Sequence, residues 1–119
     1  MSVPSTSTTR HLLNAERIAS LKPDAIIINA GRGNAIESQA LADALAEGRI
    51  RGAALDVTEP EPLPANSPLW CEPKCLITPH VAGGNHLEIT ERSIISIALG
   101  NVRCYANGQS LDNRMPIKS

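Results

Sequence analysis

The feature that most constrains this chain is a set of three short apolar runs, at residues 25–29, 52–57 and 75–78. The first is a continuous run rich in isoleucine, which is typical of a strand covered on both faces of a parallel sheet. The second contains mostly glycine, alanine and leucine, which leaves room for helices to pack closely. With 119 residues the chain can form one small domain around such a sheet.

Helical patterns separate these runs. Asn14 is a candidate N-cap for a helix that continues through Leu21. A second helix is predicted over residues 38–47, where Gly48 is a candidate C-terminal cap, and a longer one over residues 86–105. The proline-rich segment before the third run is predicted to be a stiff loop. This order of strands and helices predicts an α/β fold with a parallel sheet.

Polar residues follow each predicted strand. Because ligands bind at the carboxyl ends of the strands in such sheets, Arg32, Glu61 and His80 could together bind a carboxylate and move a proton. The residues alone leave alternatives open. Glu59 is as good a candidate as Glu61, Arg32 could be a surface residue in a glycine-rich turn, and His80 could cap the final helix. Asp56 could simply accept hydrogen bonds from loop amides.

The composition argues against several functional classes. The net charge of −1 and the lack of a basic patch do not predict nucleic-acid binding. No apolar stretch is long enough to span a membrane, and the first residues lack the apolar core of a signal peptide, so we expect a cytoplasmic protein. Three cysteines, an odd number, argue against a disulfide framework. No metal site is predicted, because Cys71 and Cys75 have no second pair at zinc spacing.

Several motifs, taken in order, resemble the C-terminal half of the NAD-binding domain of D-isomer-specific 2-hydroxyacid dehydrogenases. Residues 3–9 are similar to the family's Leu-Pro-x-Thr-x-x-Thr. The motifs that follow are Asn14-Ala15-Glu16, Leu21-Lys22-Pro23, Asn29-Ala30-Gly31-Arg32-Gly33, Leu55-Asp56-Val57-Thr58-Glu59-Pro60-Glu61-Pro62 and Thr78-Pro79-His80. Each motif alone is weak evidence, but their order and spacing together are specific.

The resemblance implies a partial Rossmann-like, doubly wound parallel sheet with flanking helices, in which the first nucleotide-binding half is missing. Residues 1–107 would form the partial NAD(P)-binding domain, and residues 108–119 a polar C-terminal tail. No Gly-x-Gly-x-x-Gly turn follows a strand in this sequence. We therefore expect NAD or NADP as the family's cofactor, with weak binding by this chain alone.

The resemblance also implies roles for single residues. Arg32 would bind the substrate carboxylate, which suits its planar, permanently charged guanidinium. Glu61 would pair with His80, and His80 would be the general acid/base. The residues expected near the cofactor are Asp56, Ala30, Gly31 and Gly83, with Gly84, Pro4 and Thr9 less strongly implied.

Two functions remain open at this point. The chain could be part of an enzyme that transfers hydride between a nicotinamide and a 2-hydroxy or 2-oxo acid, weak or inactive by itself. It could instead be a non-catalytic binding or assembly module that retains the dehydrogenase fold. A third possibility is the product of a decayed gene, without a function. Because an unpaired strand edge invites pairing, we expect a homo-oligomer or a complementary dehydrogenase half as partner. A small 2-hydroxy or 2-oxo acid is the expected ligand, and neither nucleic acid nor membrane is an expected partner.

Overall fold

The computed structural model describes residues 1–84 and 87–114, which fall into two compact units, Met1–Gly83 and Gly84–Ser119. In the first unit, β1 (Ile26–Asn29), β2 (Gly52–Leu55) and β3 (Cys75–Ile77) form a parallel sheet in the order β1-β2-β3. The open parallel sheet and the helices beside it confirm the predicted partial Rossmann-like α/β fold. All three strands end at the same edge of the sheet, so the segments that follow them start close together.

The two faces of the sheet differ. Ile27 and Ala53 are paired in the register and buried, whereas the neighbouring row contains Ile28, Ala54 and Leu76. Ile28 is 59% exposed and Leu76 is 64% exposed. The prediction that the first strand is covered on both faces is therefore wrong for this structure, where burial along β1 alternates. The continuous isoleucine run does not reveal this, because both faces carry the same apolar side chains.

Two α-helices belong to the first unit, α1 (Ala15–Ala19) and α2 (Ser38–Ala46). The Asn14 side chain caps α1 by accepting a 3.0 Å hydrogen bond from the Arg17 amide, as predicted. The helix ends two residues before the predicted end at Leu21. Gly48 follows α2 with a positive φ of 67°, which favours glycine. Side chains from both helices and the sheet form one core, which includes Ile18, Ile27, Leu41, Leu45, Ile50, Leu55 and Leu69.

The second unit consists mainly of α3 (Glu88–Ala106). Its predicted start at residue 86 lies outside the described residues. The segment after α3 folds back on it, because Asn101 donates to the Asp112 carbonyl at 3.2 Å and accepts from the Asp112 amide at 2.8 Å. Among the helices that the structure describes, none has both the length and the apolar character needed to cross a membrane.

Candidate functional site

The loop after β3 and the loop after β2 bring one histidine and one carboxylate together. His80 Nδ1 lies 2.6 Å from Glu61 Oε1, although the two residues are 19 positions apart in sequence. Both side chains are about half exposed, at 48% for His80 and 41% for Glu61. The structure thus pairs Glu61 with His80. Because the pair uses Nδ1, the other ring nitrogen, Nε2, is the one that could exchange a proton with a substrate.

The backbone around His80 is held by Asp56, which directly follows β2. Asp56 Oδ1 accepts hydrogen bonds from the Thr78 hydroxyl at 2.6 Å and the Val81 amide at 2.9 Å, and Oδ2 accepts from the Ala82 amide at 2.9 Å. His80 lies inside this bonded turn with a φ of 53°, an uncommon conformation for a residue other than glycine. Asp56 therefore accepts hydrogen bonds from loop amides, which is the alternative role that the residues alone left open.

Hydrogen bonding also sets the ionisation of Asp56. The Thr78 hydroxyl has the largest effect and lowers the pKa of this carboxyl. Burial opposes this effect, but the amides of Ala82 and Val81 and the nearby His80 lower the pKa further. Asp56 is therefore a carboxylate at neutral pH, and it has accepting capacity beyond its three hydrogen bonds.

Arg32 extends from the turn after β1, at the same edge of the sheet. Buried Asn29 shapes this turn by donating to the Arg32 carbonyl at 2.9 Å and accepting from the Gly31 amide at 3.1 Å. The guanidinium of Arg32 donates to the Gly31 carbonyl at 2.8 Å. Arg32 does not line the cavity that contains His80. The edge position agrees with the sequence prediction, and the role in substrate binding stays a prediction.

A cavity of about 360 Å³ lies beside the Glu61–His80 pair. Asp56, Glu61 and His80 contribute its polar wall, and Leu63, Trp70 and Ile77 contribute apolar surface. The Trp70 ring is fixed by a 2.9 Å hydrogen bond from Nε1 to the Pro64 carbonyl. A volume of this size is within the range of small-molecule sites.

The other residues expected near a cofactor have different surroundings. The amides of Ala30 and Gly31 already donate, to the Met1 carbonyl at 3.1 Å and to the Asn29 side chain at 3.1 Å. Gly31 is buried, and a Cβ there would lie 2.8 Å from the Val3 amide nitrogen. Gly83 is exposed, and a Cβ there would meet nothing within 4 Å. A ligand could therefore approach the backbone closely at Gly83. At Gly31 the lack of a side chain lets the backbone of Val3 pack against the turn.

Glu59, the second candidate carboxylate, makes separate contacts. Its two oxygens bind Arg10 Nη1 at 2.6 Å and His11 Nε2 at 2.9 Å. Burial raises the pKa of the Glu59 carboxyl, but the hydrogen bonds and charges of His11 and Arg10 outweigh this effect and the pKa is lowered overall. His11 belongs to none of the motifs quoted from the sequence, and here it binds a carboxylate near the site.

Residues 1–82 match the family model for the NAD binding domain of D-isomer specific 2-hydroxyacid dehydrogenases. The chain belongs to this family. A glyoxylate/hydroxypyruvate reductase B from Pectobacterium carotovorum is 38% identical over 113 residues, which is 95% of this chain and 35% of that relative. The chain thus spans about a third of the length of the curated relatives that it matches.

Solved structures of the family share this fold. A D-isomer specific 2-hydroxyacid dehydrogenase from Xanthobacter autotrophicus Py2, in complex with NADPH and MES, is 40% identical with a TM-score of 0.86. The match covers 97% of this chain and 46% of that one. An NADPH-dependent glyoxylate/hydroxypyruvate reductase from Sinorhizobium meliloti, in complex with NADP and sulfate, is 31% identical with a TM-score of 0.79 over 93% of this chain and 35% of that one.

Two site residues were missed by the sequence reasoning. Asn29 was assigned to the end of the first strand and to one of the family motifs, with no role of its own, but a polar side chain that ends an isoleucine-rich run signals a buried hydrogen-bonding role. Trp70 is the only tryptophan of the chain, and its place in the cavity wall depends on the fold of the proline-rich loop. No local pattern in the sequence reports that placement.

The residues present fit one end of a nicotinamide dinucleotide. The Asp56 carboxylate faces the cavity and can accept a further hydrogen bond, which suits the amide group of a nicotinamide. For the pyrophosphate, by contrast, this sequence has no Gly-x-Gly-x-x-Gly turn ahead of a helix. NAD or NADP is therefore the cofactor that the family implies.

Proposed function

We propose that this chain carries the acid/base and carboxylate-binding residues of an NAD(P)-dependent oxidoreductase that interconverts a 2-oxo acid and a 2-hydroxy acid. The observation that carries the proposal is the 2.6 Å contact between Glu61 Oε1 and His80 Nδ1 at the carboxyl edge of the sheet. A histidine oriented by a carboxylate is a common arrangement for moving a proton near neutral pH.

The described residues divide the reaction between them. His80 Nε2 donates a proton to the carbonyl oxygen of a 2-oxo acid, and in the reverse direction it accepts the hydroxyl proton. Glu61 holds the ring by its other nitrogen and stabilises the imidazolium form. Arg32 exchanges its contact with the Gly31 carbonyl for the substrate carboxylate, a charge-assisted bidentate contact. The bound nicotinamide supplies or accepts the hydride.

Asp56, Ala30, Gly31 and Gly83 lie at the nicotinamide end of the cofactor. Residues 1–107 act as the partial NAD(P)-binding domain and residues 108–119 as a polar tail, in a cytoplasmic protein. Small substrates of the glyoxylate or hydroxypyruvate type are favoured by the relatives that are named for reducing them.

The first test is a calorimetric titration of the chain with NADH and with NADPH, in the presence of glyoxylate or hydroxypyruvate. Because the usual pyrophosphate site is not in this sequence, we expect weak binding by the chain alone. Submicromolar saturable binding would contradict that expectation and would mean that self-association completes a cofactor site.

The second test is a chimera in which this chain replaces the matched third of the Pectobacterium reductase. We expect NADPH-dependent reduction of a 2-oxo acid. His80→Ala should lower turnover by about 10²–10⁴-fold, the usual range for general acid/base help. Arg32→Ala should lower turnover and raise KM, whereas Arg51→Ala, at another exposed arginine, should change neither. A folded chimera that binds cofactor but reduces no 2-oxo acid would favour the binding-module alternative.

A further inference from the structure

The exposed Glu61–His80 pair needs support from elsewhere in the fold. Ion pairs between exposed side chains usually contribute little, because ordering both side chains costs entropy. A catalytic histidine oriented by such a pair would lose its orientation for part of the time. The structure offers a fixed point two residues before Glu61, at Glu59.

Glu59 is held by three separate groups. Its carboxylate oxygens bind Arg10 at 2.6 Å and His11 at 2.9 Å, so that each oxygen has its own donor. Its backbone carbonyl accepts a 2.7 Å hydrogen bond from the Ser38 hydroxyl at the start of α2. We call these four residues, Arg10, His11, Ser38 and Glu59, the Glu59 anchor.

The anchor is itself tied to the body of the first unit. The His11 amide donates to the Asn34 carbonyl at 2.7 Å, and the Leu13 amide donates to the Ala35 carbonyl at 2.9 Å. A parallel bridge between Leu13 and Ile36 continues this pairing. The donors that hold Glu59 therefore belong to a segment that is fixed next to the start of α2.

The chain between the anchor and Glu61 is short and stiff. Pro60 separates the two glutamates and Pro62 follows, and a proline ring fixes its own φ and restricts the residue before it. Thr58 adds a 3.0 Å hydrogen bond from its hydroxyl to the Pro60 carbonyl. With Glu59 fixed, the position from which Glu61 reaches His80 is fixed as well.

We propose that Glu59, held by Arg10 and His11, is a positioning residue that keeps Glu61 against His80 Nδ1. This inference rests on the function proposed above. The Glu59 anchor thus has a role outside the cavity. The two glutamates of the loop differ, because Glu61 contacts the histidine and Glu59 fixes the position of Glu61.

The test reads the orientation of His80 without requiring turnover. Ring ¹⁵N chemical shifts of the chain at about pH 9, above the ordinary titration range of imidazole, report which nitrogen carries the proton. Glu61 stabilises the Nδ1–H tautomer by accepting its hydrogen bond. Because a hydrogen bond to a charged group shifts an equilibrium by roughly tenfold or more, Glu59→Ala should lower the Nδ1–H to Nε2–H ratio of His80 by about tenfold.

A second variant guards against misfolding. The Arg10 side chain is 56% exposed, so Arg10→Met should leave the fold intact and still lower the Nδ1–H to Nε2–H ratio of His80. Arg10→Lys keeps the positive charge and should give the ratio of the parent chain. Arg49→Met is the matched control, because it removes a similar arginine–glutamate contact, to Glu47, away from the loop. Glu61→Ala gives the ratio for complete loss of the acceptor.

The outcomes separate this inference from the proposed function. A fall in the ratio for Glu59→Ala and Arg10→Met, but not for Arg49→Met, supports the positioning role. If Glu61→Ala lowers the ratio and neither anchor variant does, the positioning role is overturned while the Glu61–His80 pair stands. If the anchor variants behave as expected but the chimera reduces no 2-oxo acid, the function fails and the positioning of Glu61 does not.

Discussion

Asp56 shows how a single carboxylate can organise the loop that contains His80. It accepts from Thr78, Val81 and Ala82, the residues on both sides of His80, so the left-handed backbone of the histidine is stabilised by bonds to a neighbouring strand end. The same hydrogen bonds lower the pKa of Asp56 in the folded chain, and the bond from Thr78 has the largest effect. A carboxyl whose pKa is lower in the folded state than in the unfolded state stabilises the fold at pH values above its unfolded pKa, about 4. This stabilisation is lost as the pH falls through the pKa of the folded state.

We therefore expect a pH-dependent effect of Thr78→Val. At pH 7 the variant should have a lower free energy of unfolding than the parent chain, and the difference should shrink below about pH 4 as Asp56 is protonated. Urea denaturation at both pH values measures this difference. Thr8→Val is the control, because within residues 1–84 and 87–114 the Thr8 hydroxyl bonds only to the Thr6 hydroxyl. A Thr78→Val deficit that is equal at both pH values would show that the hydroxyl does not act through the Asp56 charge.

The turn between β1 and α2 is packed closely against the loop after β2. A Cβ at Gly33 would lie 1.9 Å from the Thr58 carbonyl oxygen, a backbone atom that cannot rotate away. Gly33→Ala should lower the free energy of unfolding by about 1–3 kcal/mol, the usual cost of overpacking.

Gly83 provides the comparison for that substitution within the same unit, because a Cβ there meets no atom within 4 Å. Gly83→Ala should change stability by less than about 0.5 kcal/mol. Thermal or urea unfolding of both variants checks the pair. Equal, small effects would mean that the close approach between the Gly33 turn and Thr58 does not exist in solution.

The sequence predicted those elements whose signals are local. The Asn14 cap, the positive φ at Gly48 and the three parallel strands each follow from residues within a few positions of one another. The contacts that build the site join distant residues, such as Glu59 with His11, 48 positions away. Nothing in the spacing of the two glutamates distinguishes them. The family resemblance favoured Glu61, and the geometry shows what each one contacts.

At the scale of the whole molecule, the sheet of the first unit presents apolar surface to solvent. Ile28 and Leu76 lie in one row on either side of Ala54, and Ile26 on the same face is 56% exposed. Along β1, the Ile28 carbonyl is bonded by the Met1 ammonium group, and β2 is the only strand that pairs with β1 among the described residues. Contiguous exposed apolar side chains favour association with another chain.

We therefore expect the chain to form a homo-oligomer. Light scattering after size exclusion at micromolar concentration should give a mass at least twice the 12.6 kDa of one chain. Leu76→Lys places a charge in the exposed row and should shift the mass toward the monomer, because burying an unpaired charge in the contact is costly. Gln39→Lys, at an exposed position on α2, introduces the same charge elsewhere and should leave the mass unchanged. A stable monomer for the parent chain would show that this face is tolerated in water, and a complementary dehydrogenase half would then be the partner to seek.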